Sequence, residues 1–195
     1  MAAEEIKYTP KDFYSLPEET RAELIDGQIY YLAAPTEIHQ VIVGEVYTEI
    51  NMYIKRNRGK CRAFVAPYDV ELSENVVQPD IFVLCDMSKS NGKRCIAAPD
   101  LVIEVASSNS SNDYGKKFNL YKNSGVREYW IIDPNTEYTN VYKFEPDSNI
   151  IGFIRYQFKD TITVGIYKDN PKPLEICVED LISEFYNYVG NADRK

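Results

Sequence analysis

From Val76 to Pro134 the chain reads as two short apolar strands, a helix and a third apolar strand, with a carboxylate set inside this frame. The second strand, Pro99–Ser107, is apolar on both sides, the pattern of a central strand covered on both faces. Glu104 stands in its middle. Taking an ionised carboxylate out of water among Leu, Val and Ile costs several kcal/mol, roughly, unless a partner or a metal ion compensates. A fold built on this strand has to bring something to Glu104.

The neighbouring strand, Val76–Cys85, carries Asp80. Two carboxylates on adjacent strands can hold one hard divalent cation, Mg²⁺ or Mn²⁺, and leave positions for water and a phosphate. Such an ion offsets buried charge, lowers the pKa of bound water and stabilises the anionic transition state of phosphodiester cleavage. The following helix is expected over about Asp113–Asn123, capped by Ser111, Asn112 or Asp113 and stopped at Ser124-Gly125. Tyr114, Phe118 and Tyr121 form its apolar stripe, and Lys117 projects from the same side. Lys117 either pairs with Asp113 four residues back or is carried toward Asp80 and Glu104, where an ammonium can stabilise developing charge. A buried Glu104–Lys117 pair without any metal is the third possibility.

Elsewhere, Thr9-Pro10 opens a short helix, Lys11–Leu16, and ELIDGQIYYLA (23–33) reads as a hairpin about Asp26-Gly27. A long helix is expected from Thr36 to about Arg58, with Ile38, Val41, Ile42, Met52 and Tyr53 on one stripe. Glu45 and Glu49 fall within that stripe, so Glu45 either stays wet or points to a polar site beneath the helix. His39, the sole histidine, is expected to make local hydrogen bonds. Arg56, Arg58, Lys60 and Arg62 suit a helix C-terminus or a phosphate contact. A strand over Arg62–Leu72, broken at Pro67, puts Asp69 and Glu71 on one face; Asp69 can flank a site and Glu71 is expected in solvent. Residues 86–96 form a polar loop, and Arg127–Asp133 is a buried strand. Val141–Phe144, Gly152–Phe158 and Thr161–Ile166 are expected as an antiparallel meander with a turn at Asp147-Ser148-Asn149. Leu174–Cys177 gives a last strand, Glu179–Tyr188 a terminal helix and Gly190–Lys195 a frayed tail. The expected organisation is one domain over 1–195 with its core at about 9–185.

The net charge of −8 weighs against binding nucleic acid by bulk electrostatics and leaves room for a local basic groove or a metal-bridged contact. The four cysteines form no CxxC and are expected as buried free thiols, with zinc binding the lesser alternative. The opening MAAEEIKYTP lacks an apolar core, and no run approaches the ~20 apolar residues of a membrane span, so a reducing cytoplasm is expected.

ELIDG (23–27), VVQPDI (76–81), APDLVIEVAS (98–107), DYGKKFNLY (113–121) and GVREYWIIDP (125–134) occur in one order over nearly the whole chain. In that order the sequence resembles the Uma-type restriction endonuclease family of the PD-(D/E)XK nuclease superfamily. The resemblance implies an α/β (α+β) restriction endonuclease-like fold, with a central mixed sheet, flanking helices and an added antiparallel meander. It implies a Mg²⁺- or Mn²⁺-dependent endonuclease hydrolysing DNA through a metal-activated water, with Asp80 and Glu104 as metal ligands. The motif lysine would stand at position 106, where this chain has Ala106; Lys117 matches the lysine that this group carries on the following helix instead. Glu45 resembles an auxiliary helix carboxylate, and Asp69 an acidic residue that precedes the PD strand. Homodimers are common among nucleases that cut both strands; nothing in the sequence identifies an interface, and the 137–177 meander, apolar on one side, is a candidate. The alternative is a catalytically silent module that keeps the nuclease fold and binds a partner.

Overall fold

The computed structural model describes residues 6–107, 113–144 and 151–192. The caps expected at Ser111 or Asn112, the side chains of Asp113 and Tyr114, and the turn expected at Asp147-Ser148-Asn149 lie outside the described residues.

The chain begins with a short helix, α1 (Pro10–Phe13), whose N-cap Thr9 and Asp12 form a reciprocal capping box. A hairpin follows, β1 (Ala22–Ile25) and β2 (Gln28–Tyr31), turning at Asp26-Gly27 with both residues at positive φ. The long helix α2 is Glu37–Arg56, N-capped by Thr36.

Next comes one long antiparallel ribbon that bends from one sheet into another. Its outer parts are β3 (Arg62–Val65) and β6 (Ile81–Leu84); its tip is β4 (Val70–Leu72) and β5 (Asn75–Val77). Pro67 and Pro79 sit where it bends, each without the N–H that would continue a ladder. The strands expected at Arg62–Leu72 and Val76–Cys85 are therefore each divided between two sheets. β7 (Leu101–Val105) follows, then a π-helical turn, Asp113–Lys117, running into α3 (Phe118–Ser124). Gly125, at φ 89°, takes the left-handed C-cap position expected of it.

β8 (Glu128–Asp133), β9 (Tyr138–Phe144) and β10 (Ile151–Gln157) complete a six-stranded sheet of order β10-β9-β8-β7-β6-β3, in which only β7 and β8 run parallel. β7 is central, as its all-apolar pattern requires. β11 (Thr161–Thr163) does not extend the meander; it leaves the large sheet and pairs with β12 (Glu175–Cys177). The terminal helix α4 spans Val178–Ala192, so helix replaces the first part of the expected frayed tail.

Alternation along β7 and β8 divides the interior in two. Ile103, Val105, Trp130 and Ile132 face α2, α4 and β11–β12. Val102, Ala106, Tyr129 and Ile131 face α3 and the small sheet, which has strand order β2-β1-β5-β4. Each such fully buried side chain contributes roughly 1.5–3 kcal/mol. Among the described residues, no helix is long and apolar enough to cross a membrane.

Cys61 and Cys85 form a disulfide, which corrects the expectation of four free thiols; Cys95 and Cys177 remain free. The Arg62–Leu84 pairing of β3 with β6 sets the two cysteines opposite each other just beyond the ladder. That pairing is a tertiary fact which cysteine spacing alone does not carry.

Candidate active site

The β6–β7 register pairs Ile81 with Ile103, which brings Asp80, one residue before β6, beside Glu104. The Asp80 backbone N–H lies 3.4 Å from Glu104 Oε2. Asp80 Oδ2 accepts the Val105 N–H at 2.8 Å and lies 3.2 Å from His39 Nε2. Asp80 Oδ1 accepts no hydrogen bond from the described residues. Glu104 is 3% exposed and faces α3.

From α3 the π-helical turn delivers Lys117, itself buried, with Nζ 3.1 Å from Glu104 Oε1 and 3.0 Å from Glu23 Oε1. Single π-helical turns recur at functional sites. One turn further on, the Tyr121 hydroxyl donates to Glu104 Oε1 at 2.7 Å. Burial, reinforced by the Glu104 carboxylate, pushes the Tyr121 phenol well above its ordinary pKa, so it stays a neutral donor. Glu23, from β1, also accepts the Gln78 backbone N–H at 2.9 Å, and the Gln78 side-chain amide donates to Asp69 Oδ1 at 2.9 Å. His39 Nδ1 and Gln78 Oε1 are buried without a hydrogen-bond partner among the described residues.

Asp80, Glu104 and Lys117 are thus brought together, and Asp69 joins them through Gln78. Glu45 is not brought there. It is exposed, six residues beyond His39 and about 120° around the helix from it. The buried stripe of α2 is His39, Ile42, Val43, Val46, Ile50 and Ile54, rotated from the one expected, and this leaves Glu45 outside. Glu71 is corrected as well: it is half-buried, paired with Arg94 at 3.0 Å and hydrogen-bonded by Tyr14.

Two site residues escaped the sequence reading. His39 continues the true stripe at spacings of 3, 4, 7 and 11 residues, which is the signal that places it inside. Glu23 lies in a strand buried at every position, AELI, the same anomaly that singled out Glu104.

Glu23 and Glu104 share the Lys117 ammonium, and Asp80 lies beside Glu104. Oxygen donors from Asp80 and Glu104, with Asp80 Oδ1 accepting no hydrogen bond from the described residues, fit a divalent cation of the Mg²⁺ or Mn²⁺ type. Among the described residues no group of three or more His, Cys, Asp or Glu side chains is placed to hold a metal ion. An open site of two carboxylates, completed by water and phosphate, is the arrangement Mg²⁺ favours.

The family model described as "Uma2: Putative restriction endonuclease" matches residues 10–164. An uncharacterized protein, slr1290, from Synechocystis sp. (strain ATCC 27184 / PCC 6803 / Kazusa) is 26% identical over 162 residues, covering 80% of this chain and 84% of its own. The crystal structure of "a putative nuclease belonging to DUF820" from Anabaena variabilis ATCC 29413 matches with a TM-score of 0.73 at 24% identity, over 90% of this chain and 97% of that one. At that identity the likeness is one of fold: a central mixed sheet with flanking helices.

Proposed function

The chain belongs to the Uma2 family, and from that premise we propose that it hydrolyses phosphodiester bonds in DNA at the centre formed by Asp80, Glu104 and Lys117. The observation that carries this reading is the convergence of Asp80, Glu104 and Lys117 from three separate elements on one spot. Asp80 and Glu104 are the residues that would hold a divalent cation. A bound Mg²⁺ or Mn²⁺ supplies a lowered water pKa and stabilisation of the phosphorane-like charge.

The protein's own groups do the rest. His39 and the Val105 N–H fix Asp80 through Oδ2. Tyr121 fixes Glu104 through Oε1. Lys117, held beside Glu104, orients the attacking water and steadies charge on the phosphate oxygens. It takes the part of the lysine that Ala106 does not supply. A homodimer would set two such centres on the two strands of a duplex, and a cytoplasmic location would give access to DNA.

Ala106 also favours a second reading, a silent nuclease-fold module. One assay separates the two. Purified protein is incubated with supercoiled plasmid, single-stranded DNA and RNA, with Mg²⁺ or Mn²⁺ and with EDTA, beside Glu104→Ala. The nuclease reading expects metal-dependent DNA cleavage that EDTA and Glu104→Ala both abolish. No cleavage with either metal overturns it; cleavage that survives Glu104→Ala overturns the residue assignment.

A further inference from the structure

Glu23 belongs to β1 of the small sheet, yet its carboxylate reaches into the centre of the large one. Its Oε1 lies 3.0 Å from Lys117 Nζ and 2.9 Å from the Gln78 N–H. Gln78 lies on the bend between β5 and β6, two residues before Asp80. Glu23 therefore ties three segments to one oxygen: the N-terminal hairpin, the bend that delivers Asp80, and the turn that delivers Lys117.

Lys117 needs such a tie for a physical reason. A lysine two residues beyond Glu104 would be aimed by the strand itself, but Ala106 occupies that position. Lys117 arrives from a π-helical turn on a flexible four-carbon stem, and a stem of this kind does not fix its ammonium. Glu23 pulls from the other sheet, so Nζ sits between two carboxylates at nearly equal distances, 3.0 and 3.1 Å.

We propose that Glu23 is the positioning residue for Lys117, and that the seating of the β1–β2 hairpin is thereby part of the catalytic apparatus. This rests on the nuclease reading for its consequence, and on geometry alone for its structural half. Glu23 touches neither substrate nor the reacting atoms. It acts through the lysine.

The test uses the full chain with Glu23→Ala and Glu23→Gln. Glutamine keeps an oxygen that accepts from both Lys117 and the Gln78 N–H; alanine keeps nothing. In the metal-free protein, the ¹⁵N-ammonium NMR signal of Lys117 is identified by its disappearance in Lys117→Arg. The signal is expected to be lost in Glu23→Ala and kept in Glu23→Gln. On plasmid DNA, Glu23→Ala is expected to lower kcat by roughly 10–100-fold, the scale of an ångström-sized misplacement, with KM and Mn²⁺ affinity within about twofold of wild type. Glu23→Gln recovers most of the rate. An unchanged Lys117 signal in Glu23→Ala overturns the proposal. So does a loss carried by weakened Mn²⁺ binding, which would make Glu23 a ligand. If the wild type cleaves nothing, the nuclease reading falls while the ammonium signal still decides the positioning.

Discussion

Glu104 and Glu128 are 3% and 1% exposed on neighbouring strands of the parallel pair β7–β8. They lie on opposite faces of the sheet and toward opposite ends of the pair, Glu104 opposite Ile131 and Glu128 opposite Leu101. Glu128 accepts the Trp130 indole N–H at 2.8 Å on one oxygen and the Ile166 N–H at 2.9 Å on the other. One neutral donor on each oxygen makes a self-sufficient anchor that locks the loop after β11 to the sheet. Glu104 has a tyrosine, a lysine it shares with Glu23, and a second carboxylate, Asp80, at its side. Its surroundings concentrate negative charge. Burial alone therefore does not separate a structural carboxylate from a functional one. The separation lies in the company each keeps among the described residues, neutral N–H donors at Glu128 and ionisable neighbours at Glu104.

Exchanging the two residues is the widest way to break this comparison. Glu104→Gln is expected to remove DNA cleavage entirely, and Glu128→Gln to leave the rate per folded molecule unchanged, both measured on plasmid. Within the functional cluster, Lys117→Met keeps the stem and removes the ammonium. Its cleavage rate is expected to fall roughly 10²–10³-fold, as for loss of one transition-state donor, while calorimetry finds Mn²⁺ affinity preserved. For the structural carboxylate the expected readout is stability. Glu128→Ala strands two buried N–H groups, a loss of roughly 1–3 kcal/mol for each, seen as a lowered urea midpoint. Gly165→Ala should act on the same anchor, because an added Cβ would lie 2.6 Å from Glu128 Oε2; the expected loss is about 1–3 kcal/mol with cleavage unchanged.

The smallest effect concerns pH. The folded pKa of Tyr121 is raised above its ordinary 10.0, so the unfolded chain releases this proton first as pH rises. The stability it contributes is complete below pH 10 and is lost on going above it. Urea unfolding at pH 9 and pH 11 should show a smaller alkaline drop in Tyr121→Phe than in wild type.

Much of this centre was legible in the chain. Glu104 stood out because a charge in a strand apolar on both sides demands compensation, and Asp80 and Lys117 followed from adjacency and helical spacing. The long ribbon was legible in extent but not in its bend, because prolines mark a break without saying that a second sheet takes over. Glu45 was misplaced because α2 has apolar residues on more than one side, and only packing selects the stripe that faces inward. His39 lay on the stripe that was passed over. Glu23 and the Cys61–Cys85 bridge depend on contacts between segments far apart in sequence, which local periodicity does not encode.

The contrast between the two glutamates is tested most directly by Mn²⁺ titration calorimetry of wild type, Glu104→Gln and Glu128→Gln in the absence of DNA. The expected result is binding by wild type and by Glu128→Gln, and none by Glu104→Gln. Equal binding by all three, or none by wild type, would contradict the assignment of Glu104 to a metal-holding centre.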